Sequence, residues 1–115
     1  MATSISPLNE FKSLPYDITT TPEVIYTTPI GVVTIVLKIQ VSNVSTDPTD
    51  ISKVTVSHVR GAKTTRVVFE GPVLANDFSI ISDGKLVLQE GDSIEVNADS
   101  NDTLEMIMSY LETSA

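Results

Sequence analysis

Hydrophobic and polar residues alternate along most of the chain after residue 22, in short runs that are rich in Val, Ile and Thr. Alternation with a period of two places successive side chains on opposite faces, which is typical of β-strands with one face in the core. The runs are separated by residues that favour turns. The pattern predicts strands at 24–27, 32–42, 52–59, 65–70, 78–81, 85–88, 93–98 and 103–111.

Turn chemistry supports these strand boundaries. The clearest hairpin signal is Asp83-Gly84, because this pair tolerates the positive φ angles of a type I′ turn. Glu90-Gly91-Asp92 predicts another tight turn. About eight short strands at this spacing predict an all-β fold, an antiparallel β-sandwich with either jelly-roll or immunoglobulin-like connectivity. The other predicted connectors lie at 28–31, 45–50, 61–62 and 71–72.

The alternation also assigns residues to faces. In the second predicted strand Val32 and Val36 lie on the outer face, and the core face consists of Val33, Ile35, Leu37, Ile39 and Val41. In the last predicted strand Ile107 and Leu111 lie outside, and the core face consists of Leu104, Met106, Met108 and Tyr110. A strand that is apolar on both faces is either central in a packed structure or in contact with another chain. The small size of the domain favours the second explanation.

The first 22 residues differ from the rest of the chain. They contain Pro7, Pro15 and Pro22 and scattered apolar residues without a sustained period. Because proline lacks an amide hydrogen and interrupts regular strands, this composition predicts an extended N-terminal arm. The predicted organisation is an arm at 1–22, a β-sandwich domain at 23–112 and a C-terminal tail at 113–115.

Composition adds limits to this picture. The chain has 115 residues and no cysteine, so we expect a single domain whose core needs neither a disulfide nor a metal. No apolar stretch approaches the roughly 20 residues of a membrane-spanning helix, and we expect no secretory signal. The formal net charge is −8. It disfavours nucleic acid as the main partner, because the field of the protein repels phosphates.

The charges are segregated along the chain. Residues 86–115 contain seven acidic and no basic residues, whereas residues 51–69 carry only basic charges, at Lys53, Arg60, Lys63 and Arg66. The two segments could pair within the fold or between identical copies. The basic stretch at 60–63 predicts a hairpin tip that is either solvated or in contact with a partner.

Residues with catalytic or metal-binding chemistry are few. His58 is the only histidine and the chain has no cysteine, so the common nucleophile–base pairs and zinc ligand sets are missing. Its place in an alternating strand predicts a half-buried structural histidine. Glu90, Asp92, Asp99 and Asp102 lie in predicted turns, where carboxylates are expected for backbone reasons. We therefore predict that the protein is not an enzyme and carries no metal or cofactor.

Several segments resemble a known class of protein. The block VIYTTP leads into the long strand VVTIVLKIQVSNVS, and ISDGKLVLQEGDSIEVNADSNDTLEMIMSYLE follows later. Over residues 24–112 these segments resemble small virion structural proteins of tailed bacteriophages, especially those of marine and cyanobacterial phages. The resemblance implies a β-sandwich protein that is present in many copies on a virion and has no catalytic residues.

The resemblance and the pattern together give a functional hypothesis. We predict a non-enzymatic head-decoration (cement) subunit that is assembled in the host cytoplasm and stabilises the capsid of the virion through its arm and strand faces. Its partners would be copies of itself, as a homo-oligomer, and phage capsid or tail proteins, with neither nucleic acid nor membrane. The predicted interface residues are Ile5, Leu8, Phe11, Leu14, Tyr16, Arg60, Lys63, Arg66, Ile107 and Leu111.

There are two alternatives to this hypothesis. A protein of the same kind could be an adaptor in the tail, neck or baseplate. A protein of another kind would be a carbohydrate- or receptor-binding β-sandwich module, which usually offers exposed aromatic rings as platforms for sugars. This alternative is weaker because the chain has no tryptophan, and its tyrosines lie in the arm, in a strand and on an apolar face.

Overall fold

The computed structural model describes residues 9–115. These residues form eight β-strands, and no helix occurs among them. The all-β prediction with about eight strands is therefore confirmed. The strands are β1 (Asn9–Ile18), β2 (Glu23–Thr27), β3 (Val32–Asn43), β4 (Ile51–Arg60), β5 (Lys63–Leu74), β6 (Phe78–Leu88), β7 (Ser93–Ala98) and β8 (Leu104–Ser114).

The strands form two antiparallel sheets of four that face each other as a sandwich. Sheet A has the order β1-β8-β3-β6, and sheet B has the order β2-β7-β4-β5. Strands of the first half of the chain pair with strands of the second half: β1 with β8, β2 with β7, β3 with β6 and β4 with β5. The chain therefore follows the path of one long antiparallel hairpin that folds over to form both sheets. This is the jelly-roll connectivity and not the immunoglobulin-like one.

The core lies between the sheets and is built from the inward face of each strand. Alternation places aliphatic residues and methionines there in a nearly continuous layer. Burying each large side chain contributes about 1.5–3 kcal/mol relative to leaving it exposed, which holds the sheets face to face. Fully buried residues include Ile18, Val36, Ile39, Leu88 and Met108 from sheet A and Val54, Val56, Ile94 and Val96 from sheet B.

The predicted arm contains a strand of the sandwich, which corrects the predicted domain boundary. β1 pairs with β8 along its whole length, from Asn9 to Ile18. Pro15 is tolerated because β1 is an edge strand, where one side of the backbone makes no ladder hydrogen bonds. The sandwich therefore includes residues before position 23, and β8 carries it into the segment at 113–115 that was predicted as a tail.

The predicted hairpin at Asp83-Gly84 is also wrong, because these residues lie inside the continuous strand β6. Asp83 is opposite Lys38 of β3, and Leu86 is opposite Val36, so β6 has one residue more than β3 between these pairs. The extra residue forms a bulge, and Gly84 accommodates it with a positive φ of 144°. The glycine therefore serves a bulge within a strand and not a turn between two strands.

The connector predicted at 71–72 likewise lies inside a strand, β5, at a shift of its register with β4. A Cβ atom on Gly71 would lie 2.7 Å from a methyl group of Val68. The glycine is thus needed because the side chain of Val68 approaches the backbone too closely for a larger residue. The turns predicted at Gly61 and Gly91 are confirmed, and both glycines have positive φ angles.

The predicted faces of β3 are correct in only one half of the strand. Leu37 has no partner in β8 at the register shift between Val36 and Lys38. One extra residue reverses the alternation, so the faces before and after it are out of phase. The core residues of β3 are therefore Val32, Val36, Ile39 and Val41, whereas Val33, Ile35 and Leu37 lie on the outer face. In β8 the predicted core face is confirmed at Leu104, Met106, Met108 and Tyr110.

Candidate functional site

Apolar side chains cross the outer face of sheet A in a continuous row. Phe11 of β1 lies beside Leu111 of β8. Leu111 lies beside Ile35 of β3, which in turn lies beside Val87 of β6. Phe11 is 77% exposed and Val87 is 45% exposed, while Leu111 and Ile35 are half-buried. We call these four residues the apolar row. Isolated apolar residues are common on protein surfaces, but a patch that spans a whole sheet is typical of an interaction site.

A shallow groove of about 330 Å³ lies on the same face of sheet A. Ile107 lines it together with Pro15 and Gln40, which are its partners in the neighbouring strands β1 and β3. Ile107 is 44% exposed, and Phe78 and Ile80 of β6 are also exposed. The outer face of sheet A thus carries a second group of accessible apolar side chains beside the apolar row.

Three residues predicted at an interface come together on this face. They are Phe11, Ile107 and Leu111, which come from opposite ends of the chain. Pairing between the first and last strands of the jelly roll brings them together. The arrangement shows that these positions share one surface.

The other predicted arm anchors do not belong to this surface. Leu14 and Tyr16 alternate with the outward residues of β1, so they face inward and pack against the core. The Tyr16 hydroxyl donates a hydrogen bond of 2.5 Å to Glu23, which raises the pKa of Tyr16. These two side chains therefore stabilise the chain's own sandwich. Ile5 and Leu8 lie outside the described residues.

The basic residues predicted at an interface lie on sheet B. Arg60 ends β4 and Lys63 begins β5, on either side of the turn at Gly61. Arg66 lies further along β5, with its guanidinium carbon 5.4 Å from the centre of the Phe69 ring. This distance is within the range of a cation–π contact. The basic residues and the apolar row therefore belong to different sheets.

Asp92 forms a buried polar cluster at one end of the sandwich. Arg60 donates hydrogen bonds to its carboxylate from Nε at 2.9 Å and from Nη2 at 2.7 Å. His58 Nε2 lies 3.0 Å from the same carboxylate, and the backbone amide of Gln89 donates to it at 2.9 Å. These partners, Arg60 above all, hold the pKa of Asp92 well below its usual range.

This cluster changes the interpretation of two predicted features. Arg60 was predicted as a hairpin-tip residue that is solvated or meets a partner, but its guanidinium is held by Asp92 in a bidentate pair. The basic and acidic segments thus pair within one chain at this point. His58 is half-buried, as predicted, and its position beside Asp92 explains its structural role.

A second polar cluster joins the two sheets around Glu112. Its buried carboxylate lies 2.7 Å from Lys12 Nζ and accepts a 2.5 Å hydrogen bond from the Tyr26 hydroxyl. The Tyr26 and Thr34 hydroxyl oxygens are 2.7 Å apart. The hydrogen bonds from Lys12 and Tyr26 lower the pKa of Glu112, whereas burial raises the pKa of Tyr26. The sequence pattern did not reveal this cluster, because its members come from four different strands.

The outer face of sheet B carries a groove of about 300 Å³, which we call the sheet B groove. Its floor includes Thr55 and Ser57 of β4, which are buried although they lie on the outer face. Arg66 and Phe69 of β5 line one side, and Glu95 of β7 lines the other. Phe69 is 62% exposed. The sequence pattern did not reveal this exposed ring, because the register shift in β5 determines its direction.

Among residues 9–115, no group of three or more histidine, aspartate or glutamate side chains is placed to hold a metal ion. The same residues contain no helix that could cross a membrane. The apolar row and the sheet B groove are the surface features with the clearest potential for binding.

Comparison with known proteins gives a fold relationship. No family model matches the sequence, and no curated protein matches it either. A protein of Bacillus endospore appendages, described as disulfide-linked pili, is 12% identical with a TM-score of 0.52, over 96% of this chain and 90% of that chain. A pentameric capsid protein from metagenomic phage sequences is 13% identical with a TM-score of 0.44, over 89% of this chain and 60% of that chain. The first of these similarities shows a shared fold over almost the whole chain.

Proposed function

We propose that the protein is a non-enzymatic structural subunit that assembles with copies of itself on a phage virion, where it decorates the head. The observation that carries this proposal is the apolar row across the outer face of sheet A, with Phe11 at its exposed end. Covering such a row removes apolar surface from water, which favours association. Burying Phe11 fully would contribute about 1.5–3 kcal/mol.

The dimensions of sheet A suit an interface. Four strands spaced about 4.8 Å apart, with about ten residues rising about 3.3 Å each, present a face of roughly 600 Å². A standard protein interface buries about 800 Å² on each partner, so this face and its bordering loops could supply a complete one. Such a contact would be non-covalent, because the chain contains no cysteine.

Charged residues lie on the same face of sheet A as the exposed apolar side chains, as they do in most interfaces. Lys38 lies opposite Asp83 in the register between β3 and β6, and both side chains are exposed. Glu105 of β8 and Asp17 of β1 are exposed partners on the same face, beside the groove around Ile107. An apolar centre with a polar rim is the usual anatomy of a protein–protein contact, in which the rim sets orientation.

The fold and the sequence resemblance support this proposal in different ways. The jelly roll occurs in viral capsid and lectin domains, and the pilus protein that shares this fold belongs to a polymer. Since one fold serves many functions, the fold alone assigns none. The resemblance to phage virion proteins over residues 24–112 gives the more specific proposal of a head-decoration subunit.

Antibody labelling of separated heads and tails tests the proposed location. The particles would come from a phage whose virions contain the protein, and bound antibody would be seen by electron microscopy. Label on the heads is the expected result. Label confined to tails, necks or baseplates would contradict head decoration.

An attachment assay tests the proposed surface. Purified protein is added to particles that lack it, and the bound fraction is measured after sedimentation. Phe11→Ser should abolish attachment, because it places a polar group at the exposed end of the apolar row. Phe69→Ser is the matched control, since it changes an exposed phenylalanine on sheet B. Equal attachment of both variants and the unmodified protein would contradict the assignment of the surface.

A further inference from the structure

The sheet B groove contains a serine hydroxyl group that has no protein partner within residues 9–115. Ser57 is only 3% exposed, and it lines the floor of the groove. Within residues 9–115 no group forms a hydrogen bond with this hydroxyl. The hydroxyl can therefore donate and accept hydrogen bonds with a molecule that lies in the groove.

The sides of the groove present further polar groups that are free to bind. Arg66 contacts the Phe69 ring, and its guanidinium makes no ion pair with any described residue. The half-buried side chains of Glu95 and Asn97 also lack hydrogen bonds within residues 9–115. A guanidinium, a carboxylate, an amide and a hydroxyl therefore converge on one space of about 300 Å³. This volume is at the lower end of the range for small-molecule sites.

The balance of charge around the groove selects a neutral ligand. Two cations and three carboxylates line the groove, so its electrostatic potential favours neither an anion nor a cation strongly. The charged residues are Lys53, Arg66, Glu70, Glu95 and Asp99.

The position of the groove on a sheet face also excludes pairing with a peptide backbone. The amide and carbonyl groups of β4 are already used in ladders with β5 and β7, so recognition must come from side chains. A saccharide meets this requirement, because its hydroxyl groups both donate and accept hydrogen bonds. The apolar face of its ring can stack on an exposed aromatic ring such as Phe69.

We infer that the sheet B groove is a binding site for a neutral saccharide, with Phe69 as the stacking platform and Ser57 and Glu95 as hydrogen-bonding partners of its hydroxyl groups. This inference goes beyond the proposed assembly role and does not depend on it. The groove lies on the other sheet from the apolar row and stays open when the outer face of sheet A is covered.

Saturation-transfer difference NMR on the full chain tests the inference, with galactose, N-acetylglucosamine, maltose and lactose as probes. We expect saturation to pass to the ring protons of at least one probe. Phe69→Ala should weaken that binding about tenfold or more, as measured by titration. Ser57→Ala should also weaken binding while leaving the melting temperature unchanged or higher, because the hydroxyl has no protein partner to lose.

Phe11→Ala is the matched control, since it removes an exposed phenylalanine from the opposite sheet. It should bind the probe like the unmodified protein, even where it no longer assembles. Transfer to none of the four probes would overturn the inference. Transfer that is equally strong in Phe69→Ala and in the unmodified protein would overturn it as well. Neither result would bear on the assembly proposal, which is tested through sheet A.

Discussion

Among single residues, Asp92 gathers several hydrogen bonds at one end of the sandwich. Its carboxylate is buried and joins the turn after β6 to the end of β4 through Arg60, His58 and the amide of Gln89. Hydrogen bonds to a charged group are stronger than neutral ones, and leaving such partners unpaired is costly. The cluster therefore fixes the hairpin ends of sheet B relative to sheet A.

The substitution Asp92→Asn tests this role. It keeps the size of the side chain but removes the charge that Arg60 and His58 face, so we expect the free energy of unfolding to fall by about 2 kcal/mol. Urea denaturation would show a lower midpoint with an unchanged slope. Asp83→Asn is the control, because Asp83 is exposed. Equal midpoints for the two variants would contradict the role of Asp92.

The lowered pKa values of Asp92 and Glu112 predict how the stability of the protein depends on acid pH. The pKa values of Asp92 and Glu112 are lowered in the folded protein, so at acid pH the unfolded chain binds more protons than the folded one. Stability should therefore be complete above about pH 4, the ordinary range of carboxyl groups, and should fall as the pH drops below it. Urea midpoints measured across this range should fall less steeply for Asp92→Asn than for the unmodified protein. Parallel curves would show that Asp92 does not contribute.

At the scale of strands, glycine and proline had different roles from those that the sequence pattern predicted. Gly84 permits a bulge inside β6, and Pro15 lies in an edge strand that needs no amide hydrogen on its open side. Local sequence shows that a backbone departs from regular geometry, but not whether the chain then reverses direction. That outcome depends on which strand lies alongside, and strand pairing is a long-range property.

Truncation tests the place of β1 in the sandwich. An arm outside the domain could be deleted without loss of folding, whereas β1 covers one side of β8 and contributes the buried side chain of Ile18 to the core. Deleting residues 2–18 should therefore abolish the cooperative unfolding transition seen by circular dichroism. Deleting only residues 2–8 keeps every described strand and is the matched control. A cooperative transition with an unchanged midpoint in the longer deletion would show that β1 is dispensable.

For the whole molecule, the fold class could be predicted from alternation and turn spacing, and Phe11, Ile107 and Leu111 could be named as candidate interface residues, but the arrangement of the apolar row could not be predicted. Each member of the apolar row comes from a different strand, and Phe11 and Leu111 become neighbours only because the first and last strands pair. Because the alternation of β3 reverses at its register shift, Ile35 lies on the outer face, although the sequence pattern had assigned it to the core. Surfaces of this kind emerge from topology, which short-range sequence patterns do not encode.

Salt dependence separates apolar association from pairing of charges between copies. The net charge of −8 makes copies repel one another, and two of the cations, Arg60 and Lys12, are already paired within the chain. Added salt screens repulsion over distances beyond about 10 Å at 0.1 M, so self-association should strengthen as salt rises. Sedimentation velocity at low and high salt would measure this. Dissociation at high salt would show that charge pairing between copies dominates.

We propose that the outer face of sheet A holds copies of this chain together, and light scattering coupled to size-exclusion chromatography measures that association. We expect the unmodified protein and Phe69→Ser to have the same mass, a multiple of the 12.4 kDa of one chain. We expect Phe11→Ser to elute as a folded monomer. A monomeric unmodified protein, or a Phe11→Ser variant with the mass of the unmodified assembly, would contradict it.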